Sequence, residues 1–124
     1  MKIINPATHA LVAELPADSN EDVARKLARA RAAQPGWAAT PLSERLAIVA
    51  RFRDALGARK DELARTLTRE MGKPITQAGN ELAAMSGRLE FFLRATPEVV
   101  GPETVFEDST LQELITEEPL GVVA

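Results

Sequence analysis

Cysteine is absent from the 124 residues, which excludes disulfides, thiolate metal sites and any cysteine nucleophile within them. His9 is the only histidine, so a Ser-His-Asp arrangement would have to use it, and its Pro-Ala-Thr-His setting reads as a solvated turn. Aromatic residues make up only 4% of the chain. No segment approaches the roughly 18 apolar residues that span a bilayer. The opening Met1-Lys2-Ile3-Ile4-Asn5-Pro6 lacks the continuous apolar stretch of a signal peptide. The expectation is a cytoplasmic protein without a membrane partner. Fifteen basic residues stand against eighteen acidic ones, a net charge of −3 with no large single-sign block. Nucleic-acid binders carry a clustered basic face, so no nucleic-acid partner is expected.

What is present is ordinary soluble usage: 45% hydrophobic and 27% charged residues, enough apolar surface to offset part of the ordering entropy. The length suits one domain or part of a larger one. Leu, Ala, Glu and Arg dominate, which leans towards helix.

Residues 1–18 read as a β-hairpin. Lys2-Ile3-Ile4 is a short strand, Asn5 to His9 supplies turn residues, and Ala10 to Leu15 is the return strand, ended by Pro16. A first helix starts at Ser19, where Ser19 and Asp22 have the spacing of a capping box. Val23, Leu27 and Ala30 lie on one face and Arg25, Arg29 and Arg31 elsewhere. Pro35 disfavours helical geometry in the residue before it, so this helix is predicted to stop near Gln34. Trp37, the only tryptophan, reads as an apolar plug anchoring the following loop rather than as a ligand-stacking ring.

A second helix begins around Thr40-Pro41, with Thr40 as cap and Pro41 in the first turn. Leu42, Leu46, Val49, Phe52 and Leu56 trace its face. Gly57 bends or interrupts the run, and Leu63, Leu67 and Met71 resume it. Charges such as Glu62, Arg65 and Arg69 fall on the solvated side. Gly72-Lys73-Pro74 closes one helix and opens another; Lys73 lacks the glycine spacing of a phosphate loop. The third helical run carries Ile75, Ala78, Leu82, Met85, Leu89 and Phe92 in steps of three and four and ends at Thr96-Pro97. Gly79 and Gly87 each weaken it by roughly 1 kcal/mol relative to Ala unless close packing requires them.

Thr104-Val105-Phe106 reads as a short strand. Thr110 to Glu117 fits helical spacing, but its shortness and the flanking Asp108-Ser109 and Pro119 favour a strand. Leu120-Gly121-Val122-Val123-Ala124 is a continuous apolar run of the kind that begins a strand buried on both faces. Such an ending reads as an interrupted sheet, and the expectation is a truncated chain.

Four stretches, in order and at matching separations, resemble the aldehyde dehydrogenase superfamily, most nearly its succinate-semialdehyde type. They are Ile4-Asn5-Pro6-Ala7-Thr8, then Trp-Ala-Ala-Thr-Pro-Leu-Ser-Glu-Arg over Trp37 to Arg45, then Glu70-Met71-Gly72-Lys73-Pro74, and Glu118-Pro119-Leu120-Gly121-Val122-Val123. Together they cover the chain. The resemblance implies an α/β fold: a helix-rich N-terminal part of a coenzyme-binding domain, with an N-terminal β-hairpin, C-terminal strands and a Rossmann-like sheet largely missing. Residues 1–108 would be the hairpin and helices, 109–119 a strand of the oligomerisation region, and 120–124 the start of the first Rossmann-like strand.

The family's reaction uses a Cys thiolate to form a thiohemiacetal, hydride transfer to NAD or NADP, a Glu general base and an Asn oxyanion donor. The resemblance places all of them beyond Ala124, together with the glycine loop of the cofactor site. The chain is therefore expected to hold no catalytic, cofactor-binding or metal residue, to bind no cofactor tightly, and to be inactive alone. By analogy with the substrate entrance of some members, Asn80, Ala84 or Arg88 would face an aldehyde tunnel; a solvated helix face explains Asn80 and Arg88 equally well. The implied partner is the rest of an aldehyde dehydrogenase polypeptide or homologous subunits. The alternatives are a free-standing helical interaction module and a regulatory subunit fragment. Weak stability and self-association are expected, since the helical stripes lack the sheet they would cover.

Overall fold

The computed structural model describes residues 1–123. Strand β1 (Lys2–Ile4) pairs antiparallel with β2 (Leu11–Glu14), with a register shift after Ile3. Their loop is organised by Asn5, whose side-chain oxygen accepts from the N–H groups of Ala7 at 2.9 Å and Thr8 at 3.2 Å. Its own carbonyl accepts from His9 at 2.8 Å. His9 takes the left-handed conformation, φ 57°, that this tight reversal demands.

Helix α1 (Asn20–Ala39) opens with the capping box that the sequence announces. The Asp22 N–H donates to Ser19 Oγ at 3.1 Å and the Ser19 N–H donates to the Asp22 carboxylate at 3.0 Å, so two otherwise orphaned donors are satisfied. These bonds, with Arg25 alongside, hold the Asp22 carboxyl below the usual aspartate value.

Contrary to the sequence expectation, α1 does not stop near Gln34. It runs through Pro35 and ends at Ala39. Proline removes one N–H and crowds the preceding turn, but Arg31, whose carbonyl loses that bond, is exposed to water. The continued turn is then closed by Thr40, whose N–H donates to the Trp37 carbonyl at 3.2 Å and whose hydroxyl donates to the Gly36 carbonyl at 3.0 Å. Trp37 accordingly belongs to the last turn of a helix, not to a loop. Thr40 finishes α1 rather than capping the next helix.

The second helical run is two helices. Helix α2 (Leu42–Ala58) follows Pro41 with no side-chain cap. The break falls at Arg59, φ −108° and ψ 14°, after which α3 spans Lys60–Met71. Gly57 itself stays helical, two residues before the interruption. Helix α3 ends on Gly72 in the left-handed conformation, φ 72°, as its Gly-Lys-Pro punctuation implies.

Helix α4 (Ile75–Val99) again outruns its proline. It passes through Pro97 and closes at Val100, whose N–H reaches the Thr96 carbonyl at 3.0 Å. Only Glu98 and Val99 follow Pro97 before the cap, so a single missing bond in a terminal turn is a small loss. Strands β3 (Glu103–Glu107) and β4 (Gln112–Ile115) form a second antiparallel ribbon, irregular between Thr104 and Phe106. This agrees with the strand reading of both segments. Asp108 turns the ribbon by accepting from the N–H groups of Thr110 at 2.7 Å and Leu111 at 2.9 Å, which lowers its carboxyl pKa. Residues 117–123 form no strand. The buried strand expected to start at Leu120 is not formed among them: Leu120 is 95% exposed, because an extended segment with no strand beside it has nothing to bond. Ala124 lies outside the described residues.

Packing centres on α4, which both α2 and α3 contact. Among the described residues only Ala64 of α3 and Ala78 of α4 are fully buried hydrophobics. Small side chains there let the two helices approach closely. Leu42 and Arg45 at the start of α2 lie beside Thr96 and Val100 at the end of α4, and Arg53 farther along α2 reaches back to Glu90, so the two helices run antiparallel.

Candidate functional site

The four family-like stretches are far apart in sequence, and the fold joins them in pairs. Pro6, in the first hairpin, packs on Gly72: a β-carbon placed on Gly72 would sit 2.8 Å from Pro6 Cγ. The turn after α3 therefore needs glycine for its left-handed backbone and again for the proline against it. The first and third stretches meet at this joint.

The second and fourth stretches share a cavity of about 440 Å3 lined by Ala38, Leu42, Arg45, Thr96, Val100 and the Glu117-Glu118-Pro119 segment. Arg45 is positioned within it by donating from Nε to the Thr40 carbonyl at 3.1 Å. Its neighbour is an apolar groove of about 270 Å3, walled by Trp37, Leu46, Val49, Phe92 and Leu93. Trp37 remains 46% exposed and Phe92 55% exposed, so the groove is open to solvent. These stretches are joints between elements, and that explains why their spacing is specific.

The individually considered residues fall accordingly. His9 lies exposed in the hairpin loop. Lys73 pairs with Glu81 of α4, which leaves it bound to a carboxylate rather than presented to a phosphate. Asn80, Ala84 and Arg88 are exposed on α4, and Asn80 borders a shallow recess with Lys60, Asp61, Ala64 and Arg65. None of the three is brought against a reactive group. Among the described residues no cluster of His, Asp or Glu has metal-binding geometry. Sequence reasoning passed over Arg53, half-shielded on α2 and bonded to both Asp54 and Glu90, because an arginine on a helix reads as surface until its partner on another helix is known.

A dinucleotide does not fit the residues present. Pyrophosphate binds where free N–H groups converge at a helix start. The start of α1 is taken by the Ser19 and Asp22 side chains. Helices α2, α3 and α4 start after Pro41, Arg59 and Pro74, and none of them is preceded by the G-x-G-x-x-G turn that brings a pyrophosphate close to the backbone. The chain is a helix-rich α/β scaffold with open apolar faces.

It is a scaffold of a known kind. The aldehyde dehydrogenase family profile matches residues 1–124, and the chain belongs to that family. It is 38% identical over 120 residues to the N-succinylglutamate 5-semialdehyde dehydrogenase of Chromobacterium violaceum, covering 97% of this chain and 24% of that protein. Its fold matches the crystal structure of succinate-semialdehyde dehydrogenase from Burkholderia pseudomallei with a TM-score of 0.85 and 31% identity, covering 98% of this chain and 25% of that one. A glyceraldehyde-3-phosphate dehydrogenase from Methanocaldococcus jannaschii, solved with NADP, matches with a TM-score of 0.80 and 26% identity over 87% of this chain and 24% of that one. The chain thus spans about a quarter of the length of the relatives it matches. Its architecture is that of the N-terminal part of the aldehyde dehydrogenase fold, as the resemblance implies.

Proposed function

We propose that these residues form the N-terminal scaffold of a cytoplasmic NAD(P)-dependent aldehyde dehydrogenase that oxidises a small semialdehyde to the carboxylic acid through a Cys thiohemiacetal. We propose also that the chain by itself neither turns over nor holds nucleotide tightly. One observation carries the second half: the residues contain no thiol, and covalent capture of an aldehyde by this route needs one. The semialdehydes in the names of similar proteins support the substrate class, and the NADP-bound similar structure supports a nicotinamide cofactor. The chain's contribution is then positional. The Pro6–Gly72 joint and the Trp37 groove fix α2, α3 and α4 as one face, and the remaining polypeptide or homologous subunits supply thiol, base and cofactor loop.

The test is an assay of the 124-residue chain for NAD+ and NADP+ reduction with succinate semialdehyde, alongside calorimetric titration of each nucleotide. No turnover and no binding tighter than millimolar are expected. Turnover by this polypeptide alone would overturn the reading. A second reading, a helical interaction module, rests on the exposed stripe of Val23, Leu27 and Trp37 on α1.

A further inference from the structure

Helices α1 and α4 end at one cavity. Ala38, from the last turn of α1, and Thr96 with Val100, from the end of α4, line the same space of about 440 Å3. A helix C-terminus carries a partial negative charge, which a basic side chain in the last turn can offset. Neither α1 nor α4 has a basic residue in its last turn. The cation comes from a third element: Arg45, in the first turn of α2, is half-buried and lines this cavity.

Arg45 has donors to spare. A guanidinium presents a fork of N–H groups, and here Nε donates to the Thr40 carbonyl at 3.1 Å. The Nη groups make no ion pair among the described residues. The other charged residues on the cavity wall are Glu117 and Glu118, in the segment that leaves the β3–β4 ribbon, and neither is ion-paired among the described residues. Carboxylates beside two negative helix ends are unfavourable unless a cation stands between them. Arg45 is the cation on this wall.

Of the two acids, Glu118 is the better prepared. Pro119 confines the residue before it to extended backbone, so fixing Glu118 costs less conformational entropy than fixing Glu117. Its Oε1 accepts from the Thr116 hydroxyl at 3.4 Å, a long bond that leaves the second carboxylate oxygen available.

We propose that Arg45 is a positioning residue whose guanidinium closes on the Glu118 carboxylate and clamps residues 117–119 across the ends of α1 and α4. Its Nε holds the carbonyl that follows α1, and its Nη groups hold the strap by charge-assisted hydrogen bonds. The second and fourth family-like stretches are thereby tied by chemistry as well as by proximity. Arginine is required, because a lysine ammonium is a single point charge with no fork to hold Thr40 and Glu118 on separate arms. The clamp sets the direction in which Leu120 to Val123 leave this corner, and it stands independently of the dehydrogenase reading.

The experiment is 15N amide relaxation of the 124-residue chain, read at Glu118 and Leu120 against Glu113 and Leu114 of β4. Order parameters comparable to those of β4 are expected in the unsubstituted chain, falling below about 0.6 in E118Q, R45K and R45M. The reversed pair R45E/E118R should restore order that R45E and E118R each lose, and E117Q should leave it unchanged. The amides of Thr40 and Leu42, with circular dichroism, report whether the α1–α2 corner stays folded. E118Q leaves the Arg45–Thr40 bond untouched and decides the question if the reversed pair disturbs that corner. A strap already mobile in the unsubstituted chain overturns the proposal, as does unchanged order in E118Q. Loosening by E117Q equal to that by E118Q, or a reversed pair that is folded yet mobile at Glu118→Arg, overturns it too.

Discussion

The α2–α4 corner and the α1–ribbon periphery are built from similar residues and end in different states. In the corner, Trp37, Leu46, Val49 and Phe92 converge on one groove, Ala64 and Ala78 are buried, and Arg53 ties two helices together. In the periphery, Val23, Leu27, Phe106 and Ile115 are as exposed as Trp37 and Phe92 at the rim of the groove, but neither α1 nor the ribbon has a buried residue. Amphipathic pattern alone forms the element; a covered face requires a second element at the right distance. The chain supplies that second element to α4 and not to α1 or to the ribbon. This difference assigns the corner to the stability of the fold.

The comparison is broken most forcefully at the corner's joint. Gly72→Ala places a methyl 2.8 Å from Pro6 Cγ on a left-handed backbone, and a loss of about 2 kcal/mol or more is expected from the conformation and the contact together. The same substitution at Gly121, φ 96° but with open space around it, should leave the denaturant midpoint unchanged, since no packed element depends on it. Equal midpoints for the two variants would remove the joint from the account of the fold.

Trp37→Ala comes next. Full truncation of a buried tryptophan costs about 3–5 kcal/mol; with Trp37 46% exposed, roughly 2 kcal/mol is expected by urea titration. Its ribbon counterpart, Phe106→Ser, is 47% exposed on a ribbon with no buried residue and should change stability by less than about 0.5 kcal/mol. If the ribbon variant costs more than the groove variant, the assignment of the two regions is reversed.

The α1 cap gives a smaller effect. Ser19→Ala should cost about 1 kcal/mol of helix stability, seen as lost ellipticity rather than as a shifted midpoint, because α1 packs so little. Its pH dependence has a definite sign. Asp22 is held below its ordinary value by the Ser19 bonds and Arg25, and Asp108 by Thr110 and Leu111. Each contributes stability that is complete above the unfolded-state carboxyl value, about 3.9, and that disappears as pH falls below it towards the lowered native value. Amide chemical shifts of Ser19 and Leu111 through pH 5 to 2 should report both losses.

The smallest change is a gain. Gly87 has no atom within 4 Å of the position a β-carbon would occupy, so Gly87→Ala should stabilise α4 by about 0.5–1 kcal/mol. A loss instead would place another surface against that helix in solution.

Legibility followed range of interaction. The capping box at Ser19, the αL closure at Gly72, the Asn5 turn and both ribbons were readable because each is set by residues within a few positions of one another. Pro35 and Pro97 misled for the same reason: local rules count the lost N–H, and neither knows that the following turn is closed by Thr40 or Val100. The groove beside Trp37 was not legible, because its walls come from three helices whose packing no local pattern specifies. Arg53 stayed invisible because Glu90, thirty-seven positions away, is its partner.

By itself the sequence determined the family, through four spaced stretches, and the local elements, through caps, turns and periodicity. Only the tertiary structure decided that those stretches are joints, Pro6 on Gly72 and Arg45 beside Glu118, and that the apolar faces of α1 and the ribbon stay open. The reason is physical: backbone conformation is set by near neighbours, whereas burial depends on which distant surface the chain brings alongside.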